Sequence, residues 1–197
     1  MDKLSQLNLD CASRDKNLHT VSPFDGNIFL IGFMGAGKST VSKALKDLFH
    51  LEVIEMDEII ARENGMSIPE IFDKYGEEYF RQQETQLLKN LQSRKNVVVS
   101  CGGGVAMRPV NVEEMKKSGT IVLLQASPVT ILERVKDSHD RPLLENNKTK
   151  DYIAQLMDAR RPAYEKAADL TVVTDHKDVR DICKEIIDGV NALQHSA

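Results

Sequence analysis

The sequence predicts an α/β domain: a parallel sheet with helices packed on both faces. Two observations predict it. From residue 27 onward, short apolar runs alternate with helical patterns, as the crossovers between parallel strands require. The runs themselves, such as Ile28-Phe29-Leu30-Ile31 and Val97-Val98-Val99, are nearly continuous and lack polar alternation. Strands buried on both faces read this way.

Five strands are expected, over residues 27–32, 52–56, 96–101, 120–125 and 169–174. Helical spacing fills the intervals over 38–49, 57–63, 68–75, 77–94, 111–118, 128–137 and 150–165, with a last helix over 178–193. The third of these helices stops before Gly76 and the fourth starts after it. Residues 137–148 are polar and mixed, with one proline, and are the best candidate for a mobile loop. Residues 1–26 are polar without periodicity and read as a flexible extension. Residues 27–197 then form a single domain, with no internal repeat and no low-complexity tract.

Composition narrows the function classes. Apolar residues make up 41% and charged residues 28%, which suits a soluble globular chain. The net charge of -4 lacks the overall field of a duplex nucleic-acid binder, so no nucleic-acid partner is expected. Cys11, Cys101 and Cys183 form no close pair, which argues against a disulfide framework or a zinc site. No apolar run approaches the roughly 18 residues that span a bilayer, so no membrane partner is expected. The first 26 residues carry Asp2, Asp10, Asp15 and Asp25 and no apolar stretch, unlike a secretory signal or a transit peptide. A reducing cytoplasm is the expected compartment.

The strongest motif is Gly32-Phe33-Met34-Gly35-Ala36-Gly37-Lys38-Ser39, a glycine, four residues, then Gly-Lys-Ser. An apolar strand enters it and an amphipathic helix leaves it, the context that gives this spacing its meaning. Gly35, Ala36 and Gly37 would let backbone N–H groups converge on phosphate oxygens, helped by the positive end of the following helix. Lys38 would reach the β- and γ-phosphates, the Ser39 hydroxyl would help hold Mg²⁺, and Thr40 would contact the α-phosphate. The loop announces a nucleoside triphosphate, most simply ATP. By itself it does not separate kinase, GTPase and ATPase.

Other residues point to a small acceptor. Strand two ends in Glu55-Met56-Asp57, and ligands of parallel sheets lie beyond the carboxyl ends of the strands. One acid could orient Mg²⁺ through water, and the other could accept a proton from an attacking hydroxyl. Asp57 would equally serve to cap the helix beginning at Glu58. Cys101-Gly102-Gly103-Gly104 closes strand three, either leaving backbone N–H groups open to a ligand or making a tight turn. Cys101 itself reads as a small buried residue rather than a nucleophile. Arg141 lies in the expected mobile loop and Arg134 seven residues earlier, where cations could neutralise a moving phosphoryl group.

Taken together these pieces resemble the shikimate kinase family, from about residue 27 to 190. The resemblance rests on the phosphate loop through Thr40, on Met56-Asp57, and on Tyr75-Gly76-Glu77-Glu78-Tyr79-Phe80-Arg81. It continues in Gly102-Gly103-Gly104, in Arg141-Pro142-Leu143-Leu144 and in Arg160-Arg161-Pro162-Ala163-Tyr164. It implies a three-layer P-loop kinase fold with a five-stranded parallel sheet in the order 2-3-1-4-5 and a mobile lid. It implies ATP- and Mg²⁺-dependent phosphorylation of the 3-hydroxyl of shikimate, on the route to chorismate and aromatic amino acids, by a monomer. In residue terms it implies that Arg81 and Arg160 bind the shikimate carboxylate, as planar guanidinium groups can. Asp57 would hold the shikimate hydroxyls and act as base, and Gly103 and Gly104 would contact the acceptor through their backbone. Arg134 and Arg141 would meet ATP phosphates, and the segment at Asp175-His176 would border the adenine. Lys38, Asp57 and Arg141 are then the catalytic candidates, and Ser39 and Glu55 the candidates at the metal.

Two features depart from the family pattern. Glu55 stands where its members carry Asp, one methylene shorter, and residues 1–26 precede a strand at which most members begin. Two other readings remain open from the residues alone: a related kinase for another small acid such as gluconate, and a catalytically silent nucleotide-binding module.

Overall fold

The computed structural model describes residues 24–136 and 149–196. The expected mobile loop at 137–148, Arg141 within it, and nearly all of the expected N-terminal extension lie outside the described residues.

Five strands form one parallel sheet: β1 (Asn27–Ile31), β2 (Glu52–Glu55), β3 (Val97–Ser100), β4 (Gly119–Gln125) and β5 (Leu170–Val173). The spatial order is β2-β3-β1-β4-β5, the order implied by the resemblance. β1 is central, with Phe29 in register between Val99 and Ile121. Every residue of β1 and β3 is buried, which is why those runs carry no polar alternation. The edge strands β2 and β5 alternate exposed and covered residues instead. Burying a side chain such as Phe29 or Leu30 contributes about 1.5–3 kcal/mol, so the central strands hold much of the core's stability.

Among the described residues, seven α-helices cover the sheet: α1 (Lys38–Phe49), α2 (Met56–Asn64), α3 (Ile68–Asn90), α4 (Pro109–Lys116), α5 (Pro128–Val135), α6 (Lys150–Ala167) and α7 (Val179–His195). α3 begins with a capping box in which Ser67 and Glu70 exchange hydrogen bonds, next to Pro69 in the first turn. The two helices expected on either side of Gly76 form this one element, broken by a kink. Gly76 has φ 80° and ψ 167°, a backbone region essentially confined to glycine. Arg81 and Glu84 lie on the part of α3 that follows the kink. α4 starts two residues earlier than expected because Pro109 fits the first helical turn, where its missing N–H costs nothing. α6 runs on to Ala167 despite Pro162 in its interior.

All five strands are parallel, so the segments following β1, β2 and β3 meet at one edge. These are the glycine-rich loop, the acidic pair and the glycine triplet. No helix among the described residues is long and apolar enough to cross a membrane.

Candidate functional site

A cleft of about 1010 Å³ lies along this edge, large enough for two small substrates. The loop after β1 lines it, together with Glu55 and Asp57, Gly102 and Gly103, and Thr174, Lys177 and Val179 near the start of α7.

The glycine-rich loop is shaped by its backbone. Gly37 caps α1 in the left-handed region at φ 102°, and Gly35 sits at φ 79°, so both positions require glycine. The N-terminus of the twelve-residue α1 therefore opens into the cleft. Lys38 curls back over the loop, donating from Nζ to the carbonyls of Gly32 at 2.9 Å and Phe33 at 3.1 Å. Ser39 and Thr40 line the same cleft.

Arg134, in the last turn of α5, staples this loop to the end of β5. Its Nη1 donates to the carbonyls of Gly35 and Ala36, both at 3.2 Å, and to Thr174 Oγ1 at 3.1 Å. Its Nη2 donates to the Thr174 carbonyl at 3.2 Å. Within the loop, the Ala36 N–H donates to the Phe33 carbonyl at 3.1 Å. His176 is exposed, in the turn between β5 and α7, with φ 55°. The cleft there is lined by its neighbours Thr174 and Lys177. Asp175 is turned away to accept hydrogen bonds from the Ser127 N–H and the Thr130 hydroxyl at the start of α5. Burial works against its charge, but these donors hold its carboxyl below the ordinary range.

Glu55 and Ser39 come together as the sequence suggested. The Ser39 hydroxyl donates to Glu55 Oε2 at 2.9 Å, and the Ser42 hydroxyl to Oε1 at 2.5 Å. A carboxylate and a hydroxyl side by side are hard oxygen donors, the set that suits Mg²⁺ completed by water and phosphate. Among the described residues no cluster of three His, Cys, Asp or Glu could hold a metal by itself.

Asp57 occupies the second position of α2 and faces the cleft. The helix starts at Met56 after Glu55, without a side-chain cap, so Asp57 is not the capping residue. Gly102 is confined by acids: a Cβ there would lie 2.9 Å from both Asp57 Oδ1 and Glu84 Oε1. A Cβ on Gly104 would lie 2.5 Å from Nη1 of Arg81, so the guanidinium fills the space a side chain would need. From the other side, Arg160 of α6 brings its Nη1 within 3.8 Å of the Cβ position of Gly103, and its guanidinium rests over Phe33. The Tyr164 hydroxyl, one turn on, donates to the Gly103 carbonyl at 2.6 Å. The cluster thus brings together Arg81, Arg160, Gly103, Gly104 and Asp57.

Glu84 was missed by sequence reasoning. Its side chain is fully buried, and its Oε2 accepts from Arg81 Nη1 at 2.8 Å. Arg81 also reaches Glu77, but that acid is 65% exposed and contributes little. Burial disfavours the charge on Arg81, and Glu84 and Glu77 outweigh it, keeping the guanidinium protonated. Removing one partner of such a buried pair costs about 3–5 kcal/mol, because the other charge is stranded. The signal was present: Phe80, Glu84, Leu87 and Leu91 form one buried helical stripe with an acid in it. Tyr164 was quoted as part of a motif but given no task. Cys101 is fully buried with its thiol pushed up by burial, as suits a packing residue.

Comparison with known proteins agrees with this geometry. The family model described as shikimate kinase matches residues 34–191. A shikimate kinase of Geobacter sulfurreducens is 42% identical over 173 residues, covering 87% of this chain and 95% of its own. One of Dehalococcoides mccartyi is 37% identical over 171 residues, covering 87% and 97%. Among solved structures, a shikimate kinase from Acinetobacter baumannii in complex with shikimate superposes with a TM-score of 0.79 at 34% identity. That match covers 91% of this chain and 98% of the other. The family model's span takes in Gly35 to Thr40 of the loop, Asp57, Arg81, the glycine triplet and Arg160, and the chain belongs to the shikimate kinase family.

Proposed function

We propose that this chain transfers the γ-phosphoryl group of ATP to the 3-hydroxyl of shikimate, giving ADP and shikimate 3-phosphate on the way to chorismate. The observation that carries this reading is the convergence of Arg81 and Arg160 on the Gly103-Gly104 backbone, with Asp57 against the adjoining Gly102 and in the same cleft as the phosphate loop. Two guanidinium groups make a site for one carboxylate, and Asp57 stands where a hydroxyl of the same small molecule would meet the phosphates.

In this reading the loop N–H groups and Lys38 hold the β- and γ-phosphates, and Thr40 the α-phosphate. Lys38 exchanges its bonds to the Gly32 and Phe33 carbonyls for phosphate oxygens. Arg134 fixes the loop from behind and, with Arg141, adds positive charge on the nucleotide side, while His176 flanks the adenine end. Ser39 and Glu55 would hold Mg²⁺, which when bound neutralises phosphate charge. Asp57 orients the 3-hydroxyl and takes its proton as the bond to phosphorus forms. The Gly103 and Gly104 backbone fixes the ring. Such transfer depends on positioning and electrostatics rather than on covalent catalysis. The catalytic unit is assigned to 27–197, working as a cytoplasmic monomer.

The test is ADP release from ATP and Mg²⁺ by the full chain, with and without shikimate. Release that depends strongly on shikimate is expected. Nucleotide binding without stimulation by shikimate would overturn the acceptor assignment.

A further inference from the structure

Arg81 has two claims on its guanidinium. Glu84 holds Nη1 from inside the protein, and in the proposed function the acceptor carboxylate meets the same guanidinium beside Gly104. Glu84 cannot move out to water, since its side chain is fully buried. Its second oxygen, Oε1, is buried and has no hydrogen-bond partner. That oxygen and Asp57 Oδ1 both lie 2.9 Å from one point, the Cβ position of Gly102. The two oxygens are therefore separated by no more than about twice that distance. An orphaned buried acceptor beside a second acid is costly while both are ionised. With a proton on Oε1, Glu84 loses its charge beside Asp57 and becomes a donor on that side of the site.

We infer that Glu84 takes up a proton when the acceptor acid binds, so that occupancy of the carboxylate subsite is coupled to protonation of this buried side chain. The inference rests on the acceptor assigned above. The groups facing Glu84 set the direction. Arg81, on its own helix, favours the ionised form, as does Arg108 from the start of α4. Asp57 from α2 opposes it, and the buried thiol of Cys101 at the end of β3 carries no charge. Arg160 and Tyr164 of α6 lie beyond the glycine triplet. Burial outweighs the arginines and raises the Glu84 carboxyl to about 7, so the free protein holds it part-ionised near neutrality. An incoming carboxylate adds negative charge and draws on Arg81, and both effects raise the carboxyl further. Below the free-state value Glu84 is already protonated and binding takes up nothing. Above it, uptake approaches one proton per acceptor, and affinity weakens by up to about tenfold per pH unit until the bound-state value is passed.

Calorimetric titration of the full chain with shikimate, in buffers of different ionisation enthalpy from about pH 6 to 8.5, reads the protons taken up. Little uptake is expected near pH 6, with a rise through neutrality that is lost in Glu84→Gln. A difference infrared spectrum of the unaltered chain should gain a protonated-carboxyl band on adding shikimate above pH 7. That measurement stands even where the variant folds poorly. Binding heat that does not depend on the buffer, or uptake retained in a folded Glu84→Gln, overturns the inference and leaves the acceptor assignment intact. Absence of binding heat overturns both.

Discussion

In the proposed function the two halves of the site, nucleotide and acceptor, recognise their ligands by different means. The nucleotide half is built from one contiguous stretch, residues 32–40, and presents mainly backbone N–H groups at a helix N-terminus. The acceptor half is assembled from single side chains on separate elements: Asp57 from α2, Arg81 and Glu84 from α3, and Arg160 and Tyr164 from α6. They gather around the Gly102-Gly103-Gly104 backbone after β3. Backbone recognition spreads its energy over many donors. Side-chain recognition concentrates it in a few charges that burial makes strong. The difference teaches where damage should fall: changes in the acceptor half should be severe, local and selective for one substrate.

The sharpest test is Asp57→Asn. Asparagine keeps the shape and loses the proton acceptor, so turnover should fall by about 10²–10⁴ while ATP affinity is unchanged. Steady-state kinetics with a separate nucleotide-binding titration distinguish the two quantities. Equal losses in both would erase the contrast between the halves, and near-normal turnover would remove Asp57 from its role.

Gly104→Ala should come next in size. The added methyl has to displace the Arg81 guanidinium, which is held by Glu84 and cannot retreat without stranding it. A misplaced carboxylate clamp should raise the KM for shikimate by about tenfold to a hundredfold and leave the KM for ATP alone. If both constants moved together, the halves would be mechanically coupled through the triplet rather than separate.

The same contrast explains what the sequence disclosed. The strands, the phosphate loop and the break at Gly76 were legible because each depends on local pattern: unbroken apolar runs, glycine spacing, a residue that leaves the helical region; the strand order came with the family resemblance. The acceptor half was legible only through family resemblance, since nothing local in Arg81 or Arg160 says that they share a glycine triplet. Glu84 escaped even that, because an acid three residues from an arginine on a helix usually marks a solvated face. Only its place in the Phe80-Glu84-Leu87 stripe shows otherwise. The clamp of Arg134 on the Gly35 and Ala36 carbonyls joins residues nearly a hundred positions apart, and no periodicity carries that information.

Glu55→Asp should have the smallest effect, and it probes the nucleotide half. Glu55 spans two hydroxyls, accepting from Ser39 with one oxygen and from Ser42 with the other. Both serines sit on α1, so the acid ties the end of β2 to the first turn of the helix that carries the loop. Aspartate is one methylene shorter and, from the same backbone, would keep one of these bonds and weaken the other. A hydrogen bond of this kind contributes about 0.5–1.5 kcal/mol. The Mg²⁺ concentration giving half-maximal ADP release should therefore rise roughly two- to tenfold by that amount. Shikimate KM should stay unchanged, because the hydrogen bonds of Glu55 go to Ser39 and Ser42 on the nucleotide side. A magnesium titration at saturating ATP and shikimate measures the shift. Unchanged Mg²⁺ dependence would mean that the longer acid is only a substitute for the usual one. A shift in shikimate KM would mean instead that Glu55 reaches the acceptor through its neighbour Asp57, and the line between the two halves would have to be redrawn there.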